Sequence, residues 1–336
     1  MSTIAPSSSS SVDVPGCDLT VRVYDPERDE RRWDDLVAVS CNGTFLHSRR
    51  FLSYHGDRFD DVSSVVEDRK GRVRAVLPAA LVEDGRRSVV SHPGLTYGGL
   101  VHDGSIRGTT HLNVIEAIIG LYGQLGASTF RYKAIPHIYH RLPAEDESYS
   151  MFRLDAARVR CDLSASVDLR MPRKLTKGRR YQQGVARRQG IVVEAGWASL
   201  NSYWQMLEAN LGDRHGTRPV HTVAEMALLA NLFLDEVVLL TAHREGEVMA
   251  GGVVFMAGPV AHLQYAAASA EGRQLGAMDL VVEATIEQAL KRSLSFFDYG
   301  ISTVDHGTAL NTGLYDYKLS FGAGGVVYEH YEVTLS

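Results

Sequence analysis

A chain of 336 residues with 45% hydrophobic and 22% charged side chains has a globular composition and the length for two domains, each able to bury its own core. No apolar run approaches the roughly 20 residues that cross a bilayer, and a formal net charge of -5 argues against a surface that is basic throughout, so neither a membrane span nor a DNA partner is expected. The cysteines Cys17, Cys41 and Cys161 are odd in number, widely spaced and free of Cys-x-x-Cys spacing, which suggests neither a disulfide framework nor a metal site and fits a reducing cytoplasm.

Residues 1–17, with the polar run Ser7 to Ser11, read as a disordered tail. Leu19, Val21 and Val23 then alternate as a strand, and a helix from Pro26 to Cys41 carries Trp33, Leu36 and Val37 on one face. A short helix over Phe45 to Tyr54 holds Arg49 and Arg50. From Ser64 the pattern is an antiparallel meander, Ser64 to Glu67, Val73 to Leu81 and Ser88 to Ser91, with turns at Gly71 and Gly85. The Gly-rich loop His92 to Gly99 lets backbone approach a ligand or another segment closely. A helix, His111 to Leu125, and a strand, Thr129 to Ile135, complete the unit.

The second half repeats this plan. Val237 to Thr241, Val248 to Met256 and Ala261 to Ala268 form a second meander, and setting Gly71 on Gly246 places Val73 on Val248 and Ser91 on Ala266 without a gap. A helix from Gly276 to Leu290 and a strand from Ser295 to Tyr299 follow in the same order. Between the halves, Pro172 to Gln189 reads as a helix, and eight basic residues fall between Arg170 and Arg188 with no acid among them. That run is either a binding surface or a solvated helix face. The polar loop Asp213 to Thr222 contains Arg214 and His215. After the strand Phe296-Phe297-Asp298-Tyr299-Gly300, a short helix over Leu310 to Ser320 holds Lys318 just before the glycine that stops it, so that a polar strand end faces a lysine.

A strand, two helices, an antiparallel meander, a helix, a strand, a helix and a final strand is the order of the GNAT acyltransferase fold. Two copies in one chain resemble the Fem family, aminoacyl-tRNA-dependent ligases that add residues to cell-wall precursors, and their actinobacterial relatives in natural-product pathways. The residues that carry the resemblance are Arg214 and His215 before Pro219, Ala250-Gly251-Gly252, Gln264-Tyr265, Phe297-Asp298-Tyr299-Gly300, Asn311, and Tyr317-Lys318 before Phe321-Gly322. It implies an α+β chain of two tandem GNAT-like domains, residues 18–148 and 149–336, each a mixed, mostly antiparallel sheet flanked by helices, with a final strand over 324–335 available to pack back on the first domain. It also implies an N-acyltransferase that forms an amide on an amine of a small metabolite or nucleotide-linked precursor. In the family a lysine in the context of Lys318 is assigned to the reaction centre. The family's acceptor-binding lysine in the first domain has no clear counterpart among Arg49, Arg50 and His55.

Such a reaction needs a neutral amine, a carbonyl at attack distance and a group that stabilises the oxyanion. Lys318, as an ammonium, could serve the oxyanion or hold a donor phosphate. Asp298 could take the proton from the incoming ammonium, orient it, or simply pair with a neighbour. Tyr265, Tyr299 and Tyr315, with Arg214, His215 and Asn311, are the candidate substrate-binding set. For the donor, Arg173, Lys174, Lys177, Arg179 and Arg180 offer positive charge, and Arg273-Gln274-Leu275-Gly276-Ala277-Met278 begins the acetyl-CoA loop pattern Arg/Gln-x-x-Gly-x-Gly/Ala, whose amides cradle a pyrophosphate at a helix start. Met278 stands where that pattern has a small residue. With the basic run, that tilts the reading away from a donor held by a CoA pyrophosphate, and the Fem resemblance implies aminoacyl-tRNA as co-substrate, with no bound cofactor and no metal expected; Arg273 and Gly276 keep acyl-CoA or an acyl-carrier protein open, and a catalytically dead binding protein is the third alternative. Gly-x-Ser-x-Gly, His-Glu-x-x-His and Walker-type motifs are all missing from the sequence, so other hydrolytic and nucleotide chemistries have no support.

Overall fold

The computed structural model describes residues 11–335, which divide into two compact units. Of these residues, the first unit takes those up to Asp162, His306–Thr308 and those from Val327 on; the second takes Leu163–Asp305 and Ala309–Val326. Each unit is a mixed α+β body with sheets flanked by helices.

In the first unit β1 (Ser11–Asp13), β2 (Leu19–Val23), α1 (Pro26–Val39), α2 (Arg49–Leu52), β3 (Asp60–Asp61) and β4 (Ser64–Asp68) lead into β5 (Val73–Leu77), β6 (Ala80–Glu83), β7 (Arg87–Val90) and β8 (Val101–His102). Then come α3 (Gly108–Gln124), β9 (Thr129–Lys133) and α4 (Asp146–Arg153). One sheet has the order β1-β2-β4-β5-β8, and β3, β6, β7 and β9 belong to another. The expected tail is corrected here: its first ten residues lie outside the described set, but Ser11–Asp13 pairs antiparallel with β2, and Val14 is buried in the core. The expected single strand Val73 to Leu81 is two strands, since Pro78 supplies no N–H to a ladder; β5 pairs with β4, and β6 with β7.

The chain crosses into the second unit along β10 (Ala157–Asp168). It continues through α5 (Lys177–Arg188), β11 (Val192–Ala195), α6 (Leu200–His215), α7 (Val223–Leu232), β12 (Val237–Arg244), β13 (Glu247–Ala257) and β14 (Val260–Ala268). Next are α8 (Ala270–Leu275), α9 (Ala277–Lys291), β15 (Phe296–Ile301), β16 (Thr303–Val304), β17 (Ala309–Leu310), α10 (Thr312–Leu319) and β18 (Gly324–Thr334). From residue 330 on, β18 runs antiparallel to β9 within the first unit. The sheet of the second unit has the order β11-β12-β13-β14-β15-β10, all antiparallel except β14 with β15.

Adjacent glycines on β13 show which helix covers which face. A Cβ on Gly251 would strike the Tyr203 ring of α6, and one on Gly252 would reach Leu263 and Val281 of α9. The α9 face is closed by an apolar core that includes Val254, Met256, Ala261, Val281, Phe297 and Phe321. The basic helix expected from Pro172 starts only at Lys177, where the Thr176 hydroxyl caps it by accepting from the Arg179 amide; Arg173 and Lys174 precede it outside any helix or strand. The polar loop expected from Asp213 starts later, because α6 runs on to His215 and stops at Gly216 in the left-handed region.

Candidate functional site

Strands β14 and β15 run parallel for three rungs, Val260 with Phe296, Ala261 with Phe297, and His262 with Asp298, and both strands then continue without pairing to each other. Where they part lies a cavity of about 590 Å³. Leu263 and Ala266–Ala268 of β14, Tyr299 and Ile301 of β15, Leu207 and Leu211 of α6, Met278 and Val282 of α9, and Tyr317 and Lys318 of α10 line it. Because α6 and α9 cover opposite faces, the cavity passes through the plane of the sheet.

Lys318 is 5% exposed and donates from Nζ to the carbonyl oxygens of Gly300 (2.7 Å) and Ile301 (2.8 Å). Successive carbonyls of a regular strand point to opposite sides, so one ammonium could not ordinarily reach both. Gly300 resolves this with φ +75°, inside a bulge that sets one extra residue of β15 against β10 between Ser164 and Ser166. Burial pushes the Lys318 ammonium down to about 8, with the Asp298 charge working against that fall.

Asp298 is fully buried. Its Oδ1 accepts from Ser164 Oγ at 2.6 Å and from Ser166 Oγ, and its Oδ2 accepts from His262 Nδ1 at 2.8 Å and the Gly300 amide at 3.3 Å. Burial alone would raise this carboxyl; the His262 contact and the serine hydrogen bonds outweigh it and hold Asp298 below its ordinary value. Geometry therefore makes Asp298 an anchored carboxylate whose donors are already in place.

At the start of α9, Asp279 accepts from Arg179 Nη1 at 2.9 and 3.1 Å and from the Tyr317 hydroxyl at 3.2 Å. The Arg179 guanidinium also lies 5.0 Å from the Tyr317 ring centre and 5.5 Å from that of Phe321. Arg187 adds a second ion pair to α9 through Glu283. Helix α5 thus lies over the turn before α9, and a Cβ on Gly276 would come within 2.9 Å of the Gln182 carbonyl oxygen. Arg273 donates from Nη1 to Asn210 Oδ1 at 2.9 Å and to the Ala268 carbonyl at 2.5 Å.

Of the residues singled out in the sequence, Lys318, Tyr299, Arg179, Arg273 and Gly276 all line this cavity. Tyr299 packs edge-on against Phe297 with ring centres 4.5 Å apart, and its buried hydroxyl has no hydrogen-bond partner among the described residues. Tyr265 is on the α6 face, edge-on to Trp204 and bonded through its hydroxyl to His221 Nδ1 at 2.7 Å. Asn311 caps α10 by accepting from the Leu314 amide, and the Tyr315 hydroxyl lies against Gly325. Arg173 lays its stem on Gly322, while Lys174, Lys177 and Arg180 are exposed. Arg214 and His215 belong to the last turn of α6, and their side chains lie outside the described set. Sequence reasoning missed His262, Ser164, Ser166 and Asp279, since only the strand register brings the first three to Asp298.

Residues 172–319 match the family model described as an acetyltransferase (GNAT) domain. No curated protein matches the chain. Among solved structures, a crystal structure of FemX superposes with a TM-score of 0.66 at 12% identity over 91% of this chain and 96% of its own. L-PGS from Bacillus licheniformis gives 0.60 at 15% identity over 93% and 92%. A tandem GNAT protein from the clavulanic acid biosynthesis pathway gives 0.52 at 14% identity over 95% and 99%. At these identities the likenesses show the fold, a tandem GNAT arrangement. No helix among the described residues is long and apolar enough to cross a membrane.

Proposed function

We propose that this chain, whose residues 172–319 match the GNAT acetyltransferase domain, is an acyltransferase that joins an aminoacyl group from aminoacyl-tRNA to the amine of a small acceptor. The observation that carries the donor assignment is the start of α9. A CoA pyrophosphate would need the amides there, but Asp279 sets a carboxylate in that first turn, Arg179 is already committed to it, and Met278 fills the place of a small residue. The positive charge is displaced outward. Lys174, Lys177, Arg180 and Arg188 are exposed around α5 with no ion pair among the described residues, and Tyr181, 66% exposed, lies between them as a stacking surface.

In this reading Lys318 supplies the charge that stabilises the tetrahedral oxyanion, its ammonium oriented by the two carbonyls and carrying a third N–H. Asp298 positions the strand end and its neighbours, and Tyr299 walls the acyl pocket. Arg214, His215, Tyr265, Asn311 and Tyr315 remain proposed acceptor-side residues. Acyl-CoA is the second reading, favoured by Arg273 and by the left-handed Gly276 at the start of α9.

Filter binding with unfractionated tRNA and thermal shift with CoA separate the two. The expected result is tRNA retention with log K falling against log salt at a slope of about -3, for roughly four phosphate contacts at 0.7–0.9 each. A melting temperature raised by CoA together with no retained tRNA would overturn the donor assignment.

A further inference from the structure

We propose that His262 is the proton acceptor of the transfer reaction, held in place by Asp298. The proposal rests on reading the cavity as a site of acyl transfer to an amine, and it holds for either donor.

His262 occupies the last rung of the parallel pair, so its ring stands where β14 and β15 separate. It faces the α6 side with its cross-strand partner Phe255, whereas its neighbour Leu263 lines the cavity wall. Gly300 ties the imidazole to the lysine. Lys318 Nζ lies 2.7 Å from its carbonyl oxygen, and a Cβ added at Gly300 would stand 3.7 Å from His262 Cε1. Nδ1 donates to Asp298 Oδ2, which fixes the tautomer and makes Nε2 the basic nitrogen. Within the pair the carboxylate is sealed while the imidazole keeps 10% of its side chain accessible, so only the imidazole can meet a substrate. The groups packed at this point include Asp298 on β15, Lys318 on α10, the neutral Ser164 and Ser166 on β10, and Phe255 on β13.

The step balances without a further reagent. As the acceptor nitrogen bonds to the donor carbonyl carbon, its proton passes to His262 Nε2, and the Asp298 carboxylate lies against the imidazolium that forms. The oxyanion collapses, the bond from carbon to the leaving oxygen (or sulfur) breaks, and the imidazolium returns the proton to that atom. Ester and amine have become amide and alcohol, and His262 is neutral again.

Two measurements on the full chain test this. The first needs no substrate: the imidazole nitrogens are labelled with 15N, the His262 signals are assigned with His262→Gln, and the wild type is titrated from pH 5 to 9. The expected species at pH 8 is the neutral Nδ1–H tautomer. An Nε2–H tautomer, or an imidazolium that persists across the range, overturns the proposal. The second offers charged unfractionated tRNA and acetyl-CoA separately, with glycinamide as the amine. His262→Gln and Asp298→Asn are expected to lower the single-turnover rate about 10²–10⁴-fold and to abolish its acid limb. A folded His262→Gln protein with an unchanged rate and limb overturns the proposal; wild-type turnover with acetyl-CoA alone would overturn only the tRNA assignment.

Discussion

The two units each contain a parallel strand pair of three rungs, β7 with β9 and β14 with β15, and they treat the opening beyond the last rung differently. In the first unit the carbonyl two residues past the last rung, that of Lys133, accepts from the Gly98 amide at 3.0 Å; the loop after β7 returns and fills the gap. Gly98 is required for that closeness, because a Cβ there would overlap the Ser91 carbonyl oxygen. The equivalent carbonyl of the second unit, Gly300, accepts from Lys318 instead. One backbone deficit thus has two remedies: a peptide amide that closes the opening, and an ammonium that leaves it open with a charge on its wall. Lys133 completes the contrast, since its buried Nζ donates inward to the carbonyls of His92 and Leu95 and fastens the plug.

Exchanging the lysines probes the contrast most severely. Lys318→Met should cut single-turnover acyl transfer by about 10²–10³-fold, the loss typical of one oxyanion donor. Lys133→Met should leave the rate per folded molecule unchanged and cost about 1–3 kcal/mol in urea unfolding for each carbonyl left unpaired. Equal rate losses in two folded variants would break the comparison. Gly98→Ala should destabilise by about 3 kcal/mol, measured the same way, because the loop must be displaced from β9; an effect under about 1 kcal/mol would mean the plug is loosely held.

Proton linkage separates the lysines further. Burial holds both at about 8, below the ordinary lysine value of 10.5, so the unfolded chain binds more protons between those values and stability should rise with pH across that window. Only Lys318 should also appear in the rate, which falls as pH rises past about 8 and the ammonium is lost. Lys133→Met is expected to reduce the stability slope and keep the rate limb. The smallest effect belongs to the α5 surface: reversing Lys174, Lys177 and Arg180 together should weaken tRNA retention while shifting stability by only about 0.5 kcal/mol, as for exposed residues free of packing. A large fall in melting temperature would show that these side chains pack.

Much of this was legible in the sequence, and the missing parts share a cause. Local pattern locates β15, α9 and α10 to within a few residues, and with them the opposition of Lys318 to the end of β15. Register is not local. The gapless match of Ser91 with Ala266 ignores the interruption at Pro78, and the last parallel rungs fall instead at Val90 and His262. For the same reason His262 reads as one more isolated histidine until the parallel pairing sets it across from Asp298. The α5 run is basic in sequence, but Arg179 and Arg187 turn to acids on α9 about a hundred residues away, which no window along the chain contains. Helix α8 is six residues long, too short for a periodicity to declare itself.

The bulge at Gly300 also limits how this stretch can change length. Each residue added to or removed from a strand turns everything beyond it to the opposite face. The single extra residue between Asp298 and Ile301 therefore fixes on which side of the sheet the chain emerges toward β16 and α10. Insertions in the turn between β16 and β17 leave that parity untouched. A deletion at Gly300 would keep every named side chain of the site and still send the segment carrying Lys318 off the wrong face, so homologues of this chain are expected to vary in length around the four residues from Asp298 to Ile301 but not within them.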